Sequence, residues 1–244
     1  MPLMLTILVV TVSAVGGFAQ RASGLGFSLI VSPALVLAVG PRAGVTLANL
    51  LGMAVALTVL ATSARRLDLA RARVLVPAGL AGVIPGTVAF YLLPAGWLQV
   101  AVGALTGLGL MTVFLARGLR AAPSLPVTAA AGLASGFSSA VAGAGGPPLA
   151  IYAIATEWPQ AQFAATGQVA FAIQAGAALA AKGLPPVPVL WLAAAVAAAL
   201  SGVAAAHLVS GRINPVQARR AAVGIAAAAI TVTTIHGIMQ LAGS

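Results

Sequence analysis

The sequence predicts an all-α, polytopic membrane protein of a single domain, made of two five-element halves with inverted topology. Three observations lead there: the composition, the length and order of the apolar runs, and a self-similarity at a spacing of 119 residues. Of 244 residues, 61% are hydrophobic and 6% charged, and the mean hydropathy is +1.11. An ordinary soluble domain is about 25% charged. Twelve Lys and Arg with two Asp and Glu cannot coat a water-facing surface of this size. A soluble enzyme, a nucleic-acid-binding domain and a disordered chain are thereby excluded. The chain has no cysteine, which removes disulfides, thiolate metal sites and thiol catalysis. Two histidines and two carboxylates leave little for metal or acid–base chemistry, and no cofactor is expected. The start Met1-Pro2-Leu3 carries no positive segment, so a cleaved signal peptide is not expected either.

A spanning helix needs about 20 mostly apolar residues, and a run of roughly 10–14 suggests a re-entrant segment. Ten apolar elements are read at 3–19, 24–39, 44–63, 74–93, 96–116, 126–142, 144–156, 160–181, 187–209 and 218–241. The first stops at Gln20-Arg21, and the second opens at Gly24 and contains Pro33. The third runs into the basic loop Ala64–Arg73, and the fourth and fifth flank Pro94. The sixth and seventh meet at Gly143–Pro148. The eighth lies between Pro159 and Lys182, the ninth follows Pro185-Pro186, and the tenth has Arg219-Arg220 in its first turn. The first, second, sixth and seventh are expected to be short, Gly-rich and Pro-interrupted, giving about 8–10 membrane helices. The other six are long enough to span.

Basic residues set the orientation. With Arg65, Arg66, Arg71 and Arg73 in the cytoplasm, alternation puts Arg117, Arg120, Arg212, Arg219 and Arg220 there too. Arg42 and Lys182 fall outside, and Arg21 lies at the first hairpin. Both termini are then expected outside. The net charge of +10 is read as this topology signal, with no nucleic-acid partner.

Gly17-Phe18 and Gly136-Phe137 are 119 residues apart, as are Gly24-Leu25-Gly26 and Gly143-Ala144-Gly145. One residue further in register, Val45-Thr46 matches Ala165-Thr166. Residues 1–120 and 121–244 thus read as two repeats, each a broken hairpin followed by three spans. Five elements is an odd number, so the second repeat enters the membrane from the opposite face, a construction common in secondary transporters.

The two glycine-rich breaks, Gly17–Pro33 and Gly136–Pro148, occupy corresponding places. Irregular backbone at membrane depth persists only where protein buries it or water lines it, and paired breaks point to a transport site. Glycine lets backbone approach a ligand closely, and Pro147-Pro148 can open a helix without wasting an N–H donor. A helix N-terminus there suits an anion. The pairs Gly82–Gly86, Gly103–Gly107 and Gly132–Gly136 are assigned instead to close helix packing.

These residues carry a family resemblance. The stretch Gly17-Phe18-Ala19-Gln20-Arg21-Ala22-Ser23-Gly24-Leu25-Gly26-Phe27-Ser28, running on to Pro33 and Pro41-Arg42-Ala43, is similar to one signature of the TauE/SafE sulfite exporter family. That family is also called the 4-toluene sulfonate uptake permease family. Gly136-Phe137 through Gly143-Ala144-Gly145-Gly146-Pro147-Pro148, then Trp158-Pro159 and Ala165-Thr166, resembles the second and more specific signature. Arg65-Arg66-Leu67-Asp68 also looks like the family, and the likeness covers nearly the whole chain. Phe27-Ser28 departs from it, where many members carry two more glycines. The resemblance implies movement of sulfite, sulfonates or related organosulfur anions across the bacterial inner membrane.

The substrate-binding residues expected are Gln20, Arg21, Ser23, Gly24 and Gly26 of the first break, and Gly143, Gly145, Gly146 and Pro147 of the second. Thr46 and Asn49, and Gln162, Thr166 and Gln168, are expected to face the same cavity from the elements after the hairpins. Arg21 reads either as an anion clamp, since a guanidinium can engage two oxygens, or as a snorkelling topological arginine. Glu157 reads as a proton-coupling carboxylate or as an interfacial residue beside Trp158. Asp68 reads as an ion-pair partner in the basic loop, and His207 and His236 as structural. The expected activity is secondary transport by alternating access at a midplane site between the breaks. Alternatives are an anion channel of the same fold, a non-transporting scaffold, and an intramembrane enzyme, the last disfavoured because no Ser/His or paired-Asp motif is present. Expected partners are the small anion, the bilayer, a coupling proton and, in a homodimer, a second copy of the chain.

Overall fold

The computed structural model describes residues 3–23, 26–115, 120–209 and 215–242. Among these are ten α-helices and no strand: α1 (Leu3–Ser23), α2 (Gly26–Val39), α3 (Pro41–Ser63), α4 (Leu69–Leu92), α5 (Ala95–Leu115), α6 (Leu125–Ala142), α7 (Gly146–Ala155), α8 (Gln160–Lys182), α9 (Val189–Val209) and α10 (Pro215–Ala242). Eight are long and apolar enough to cross a membrane, while α2 and α7, of 14 and 10 residues, are shorter. The expectation of four short elements is thereby corrected. The helix α1 continues through Gln20 and Arg21 to a length of 21 residues. The helix α6 reaches 18 because Pro126 sits inside its first turn, where a missing N–H costs nothing.

Each boundary has a local cause. Asp68 caps α4 by accepting the Arg71 N–H at 3.1 Å. Gly40, at φ 87°, turns the chain so that Pro41 can start α3. Gly143 ends α6 in the left-handed region at φ 63°, a conformation that costs a side-chain-bearing residue about 1–2 kcal/mol. Its N–H bonds back to the Ser139 carbonyl at 2.9 Å, closing the last turn.

The helices pack along seams of small residues, as expected where lipid supplies no hydrophobic drive between helices. The helix α1 lies against α9, and α6 against α4. A methyl group placed on Gly17 would collide with the Ala199 carbonyl, and one on Gly136 with the Gly79 carbonyl. Likewise Gly202 abuts the Ala14 carbonyl and Gly82 the Leu133 carbonyl. These four contacts form two matching pairs, because Gly17 and Gly136, and Ala14 and Leu133, are 119 residues apart, and Gly79 and Ala199, and Gly82 and Gly202, 120. On the α5–α10 seam Gly103 faces Thr234 and Gly107 faces Ile230. The packing role expected for Gly82–Gly86, Gly103–Gly107 and Gly132–Gly136 is the one observed.

Helix α3 lies at the centre, with Leu47, Leu51 and Val55 packed on Phe27, Val31 and Leu35 of α2 and on Ala195 and Ala199 of α9. Around it, large apolar side chains such as Ile84, Val88, Val189 and Leu190 stand exposed on the outside. In water such a surface would be an aggregation liability; in a bilayer it is the lipid-facing wall.

One end of the bundle gathers most of the described basic residues. Arg65 and Arg66 form a 3-10 turn there, and Arg71, Arg73 and Arg120 join them. Arg42 and Lys182 belong to the other end, where Arg42 donates to the Tyr91 carbonyl at 3.1 Å. This is the grouping expected from the sequence. Arg117 and Arg212 and the side chains of Arg219 and Arg220 lie outside the described residues.

Candidate functional site

Three clusters of buried polar groups lie at or beside the two breaks. At the first, Gln20 of α1 donates to Gln168 Oε1 of α8 at 3.2 Å and accepts the Phe27 N–H of α2 at 3.1 Å. One amide thus replaces the missing helical partner where the chain folds back. Gln168 is fully buried, and its Nε2 has no hydrogen-bond partner. An unpaired buried donor costs about 1–3 kcal/mol.

At the second break, α7 begins at Gly146 in the interior of the bundle. Ser135 Oγ lies 2.7 Å from the Gly145 carbonyl and 2.9 Å from Gln174 Oε1. Ser135 and Gln174 are both fully buried, and Gln174 Nε2 has no partner. A serine has one proton to give, so exchanging the amide oxygen and nitrogen still leaves one end of Gln174 unpaired, beside Gly79. Pro147 and Pro148 occupy the second and third helical positions, so they offer no N–H there. The helix dipole persists, but the hydrogen bonds expected from this N-terminus must come mainly from side chains. At α2 the Phe27 N–H is already taken by Gln20. The two hairpins approach each other at α5, where Gly109 lies against both Pro147 and Leu29.

The third cluster surrounds the C-terminal turn of α6. Asn49 Nδ2 donates to the Ser139 carbonyl at 2.9 Å and lies 3.4 Å from Ser139 Oγ. Lys182 Nζ donates to Asn49 Oδ1 at 3.0 Å and to the Ala140 carbonyl, and lies 4.3 Å from the centroid of the Phe90 ring. Ser32 Oγ donates to the Ala142 carbonyl. The last carbonyls of α6 are thus met by an amide, an ammonium and a hydroxyl from three other helices, the Ser139 carbonyl in addition to its Gly143 N–H and those of Ala140 and Ala142 where helix geometry supplies no partner. The pairs Gln20–Gln168 and Ser139–Asn49 correspond at the 119-residue spacing.

Other expected site residues lie elsewhere. Thr46 Oγ1 bonds to the Arg42 carbonyl of its own helix at 2.8 Å. Thr166 Oγ1 accepts the Asp68 N–H at 3.0 Å, tying α8 to the basic loop. Gln162 is exposed in the first turn of α8. Arg21 lies 3.4 Å from His207 Nδ1, joining α1 to α9 at the basic end. Gly24 and the side chain of Ser23 lie outside the described residues, and Gly26 is buried against Ala19. Glu157 is exposed at the basic end, 3.8 Å from Arg120. The burial on which a proton-coupling role would rest is absent at that position. Asp68 pairs with Arg71 at 3.5 Å, as expected of a loop ion pair.

A model of the family described as "Sulfite exporter TauE/SafE" matches residues 9–233, nearly the whole chain. The chain belongs to the sulfite exporter TauE/SafE family. No curated protein and no solved structure matches it. As a TauE/SafE member with eight helices of spanning length, it is a multi-pass membrane transporter of the sulfite-exporter type, handling small anions within the bilayer.

Within this TauE/SafE chain, the expected residues Gln20, Asn49 and Gln168 fall in these buried polar clusters, together with Ser135, Ser139, Gln174 and Lys182, which the sequence does not single out. A signal for Gln174 existed, since it is a lone amide flanked by Ile173 and Ala175 in the middle of an apolar span. Such residues are costly in lipid and usually face a cavity or a partner.

Proposed function

We propose that this transporter carries sulfite, sulfonates or related organosulfur anions across the bacterial inner membrane by alternating access at a site between the two breaks. The observation that carries the reading is the interior start of α7, where the fully buried Ser135 and Gln174 meet Gly145 and leave one amide end unpaired. The unpaired amide end of Gln174, held in place by Ser135 beside the positive end of the α7 dipole, offers a donor to the oxygens of a sulfur oxyanion. Gln168 Nε2 supplies a second unpaired donor on the same helix, near the first break. Gln20, Gly26, Gly143, Gly146 and Pro147 shape the backbone around these groups, and Arg21 guards the basic end.

The halves 1–120 and 121–244 are read as inverted repeats within one domain. The matched seams, Gly17 on Ala199 with Gly136 on Gly79, support this, as do the matched amide pairs at the breaks. In each case the first helix of one half packs on the fourth helix of the other. Rocking along these glycine seams gives a physical route to alternating access. The basic end is assigned to the cytoplasm, with both termini outside.

Uptake of sulfite, thiosulfate and methanesulfonate into proteoliposomes, with and without a pH gradient, tests the reading. Saturable flux of at least one of these is expected. Single-channel currents would replace the transporter with a channel, and no flux or binding of any of the three would leave a scaffold.

A further inference from the structure

Lys182 ends α8, and the sequence alone places it in an outer loop. Its ammonium turns inward instead. It reaches Asn49 Oδ1 at 3.0 Å, and Asn49 is 1% exposed. Asn49 lies eight residues inside α3, roughly 12 Å along the helix from Pro41 at 1.5 Å per residue. A lysine near a helix end normally snorkels toward the interface; this one points away from it.

Its charge has no acidic counterpart. The chain contains two carboxylates, and they engage arginines: Asp68 with Arg71 and Glu157 with Arg120. The groups that receive the Lys182 ammonium are the Asn49 amide oxygen, the Ala140 carbonyl and the face of Phe90. These dipoles and the ring quadrupole solvate a cation but do not neutralise it. The cluster adjoins the second break, where Gly143 packs on Ala48 and Val45, one and four residues before Asn49. The proline-capped start of α7 and the occupied start of α2 leave the breaks with dipoles and neutral amides. Beside the second break, a formal positive charge is what an anion site otherwise lacks.

We propose that Lys182, held by Asn49, is the charged element of the substrate site, binding one oxygen of the sulfur oxyanion when the transporter opens toward the end of the bundle that carries Arg42. The inference rests on the transport reading above and adds the residue that confers charge selectivity. Asn49 acts as its positioning residue, keeping the ammonium turned toward the break.

The absence of native cysteine allows a direct test. Lys182→Cys, in vesicles of phosphatidylcholine alone, is expected to raise the KM for sulfite uptake at least tenfold. Alkylation with 2-bromoethylamine, which restores an ammonium at nearly lysine length through a thioether, is expected to bring KM back to within about threefold of wild type. Alkylation with iodoacetamide, which adds a neutral group, is not. A wild-type KM for Lys182→Cys, or equal rescue by both reagents, would overturn the proposal. So would a Lys182→Cys effect seen only when phosphatidylglycerol is added, which would assign the ammonium to a lipid headgroup. Asn49→Asp supplies a second arm if Lys182→Cys does not fold. It places a carboxylate beside the ammonium, and the expected result is a KM raised at least tenfold with an unchanged melting temperature. An unchanged KM there would reduce Lys182 to a cap on α6. Wild-type vesicles that take up no sulfite, thiosulfate or methanesulfonate would overturn the transport reading together with this one. Wild-type uptake indifferent to residue 182 overturns this one alone.

Discussion

The Arg71 guanidinium carbon lies 4.5 Å from the centroid of the Trp158 ring and 5.6 Å from that of Tyr152. Arg71 also pairs with Asp68, so it joins the first turn of α4 to α7 and to the α7–α8 connection. Arg71→Lys keeps the charge beside Asp68 but loses the planar stack on the rings. The expected loss is about 1 kcal/mol. Hydrogen exchange should report it as a roughly fivefold increase in local opening over 156–160. Unchanged exchange would show that the stack adds nothing to the closure of this end.

The seam between α4 and α6 leaves no room for a methyl group. Gly136→Ala would drive its Cβ into the Gly79 carbonyl, and backbone cannot step aside as a side chain can. Overpacking of this kind costs about 1–3 kcal/mol, which corresponds to a melting temperature lowered by roughly 2–12 °C in detergent. Gly224→Ala on α10 is the control, because nothing lies within 4 Å of its added methyl. Its melting temperature should equal or slightly exceed that of wild type, because alanine is the better helix former.

Replacing Gln174 by leucine removes the unpaired amide end and the acceptor for Ser135. Ser135 keeps the Gly145 carbonyl, so stability should change by less than about 1.5 kcal/mol. If the amide serves the anion, the KM for sulfite rises about tenfold, equivalent to roughly 1.4 kcal/mol. A KM unaltered by Gln174→Leu would remove this residue from the site.

Arg21→Ala separates the two roles open to that arginine. As a clamp on the anion's path, its loss lowers sulfite uptake at least tenfold with little change in melting temperature. As a partner of His207 alone, its loss loosens α1 from α9, and the melting temperature falls while uptake per folded molecule stays the same.

The helices were legible because each is a local pattern: an apolar run bounded by arginines, prolines or glycines. Gly143 and Gly145–Pro148 likewise announced the second break, since residues of that type in lipid have few other uses. The lengths of α1 and α6 depart from expectation where a local signal is ambiguous. Gln20-Arg21 reads as an ending, yet the helix continues through it, with Gln20 bonded to Gln168 and Phe27. The side-chain constellation was only partly legible. Thr166 and Gln168 are neighbours in sequence, but one bonds to the basic loop and the other to the first break, because successive helical residues face different ways. Pairings such as Ser135–Gln174 and Asn49–Lys182 join residues 39 and 133 apart. No periodicity encodes them; they exist only once the glycine seams have set the helices side by side.

Both carboxylates of the chain stand at the basic end, Glu157 exposed and Asp68 held by Arg71. A proton travelling with the anion therefore has no acidic side chain to ride on inside the bundle. Under the transport proposed above, a sulfur oxyanion that crosses without a proton carries its charge through the electric field, and that turnover is electrogenic. Each elementary charge is then worth about 2.3 kcal/mol per 100 mV. A cell interior held negative would push such a cargo outward and make the resting voltage itself the energy source for expulsion.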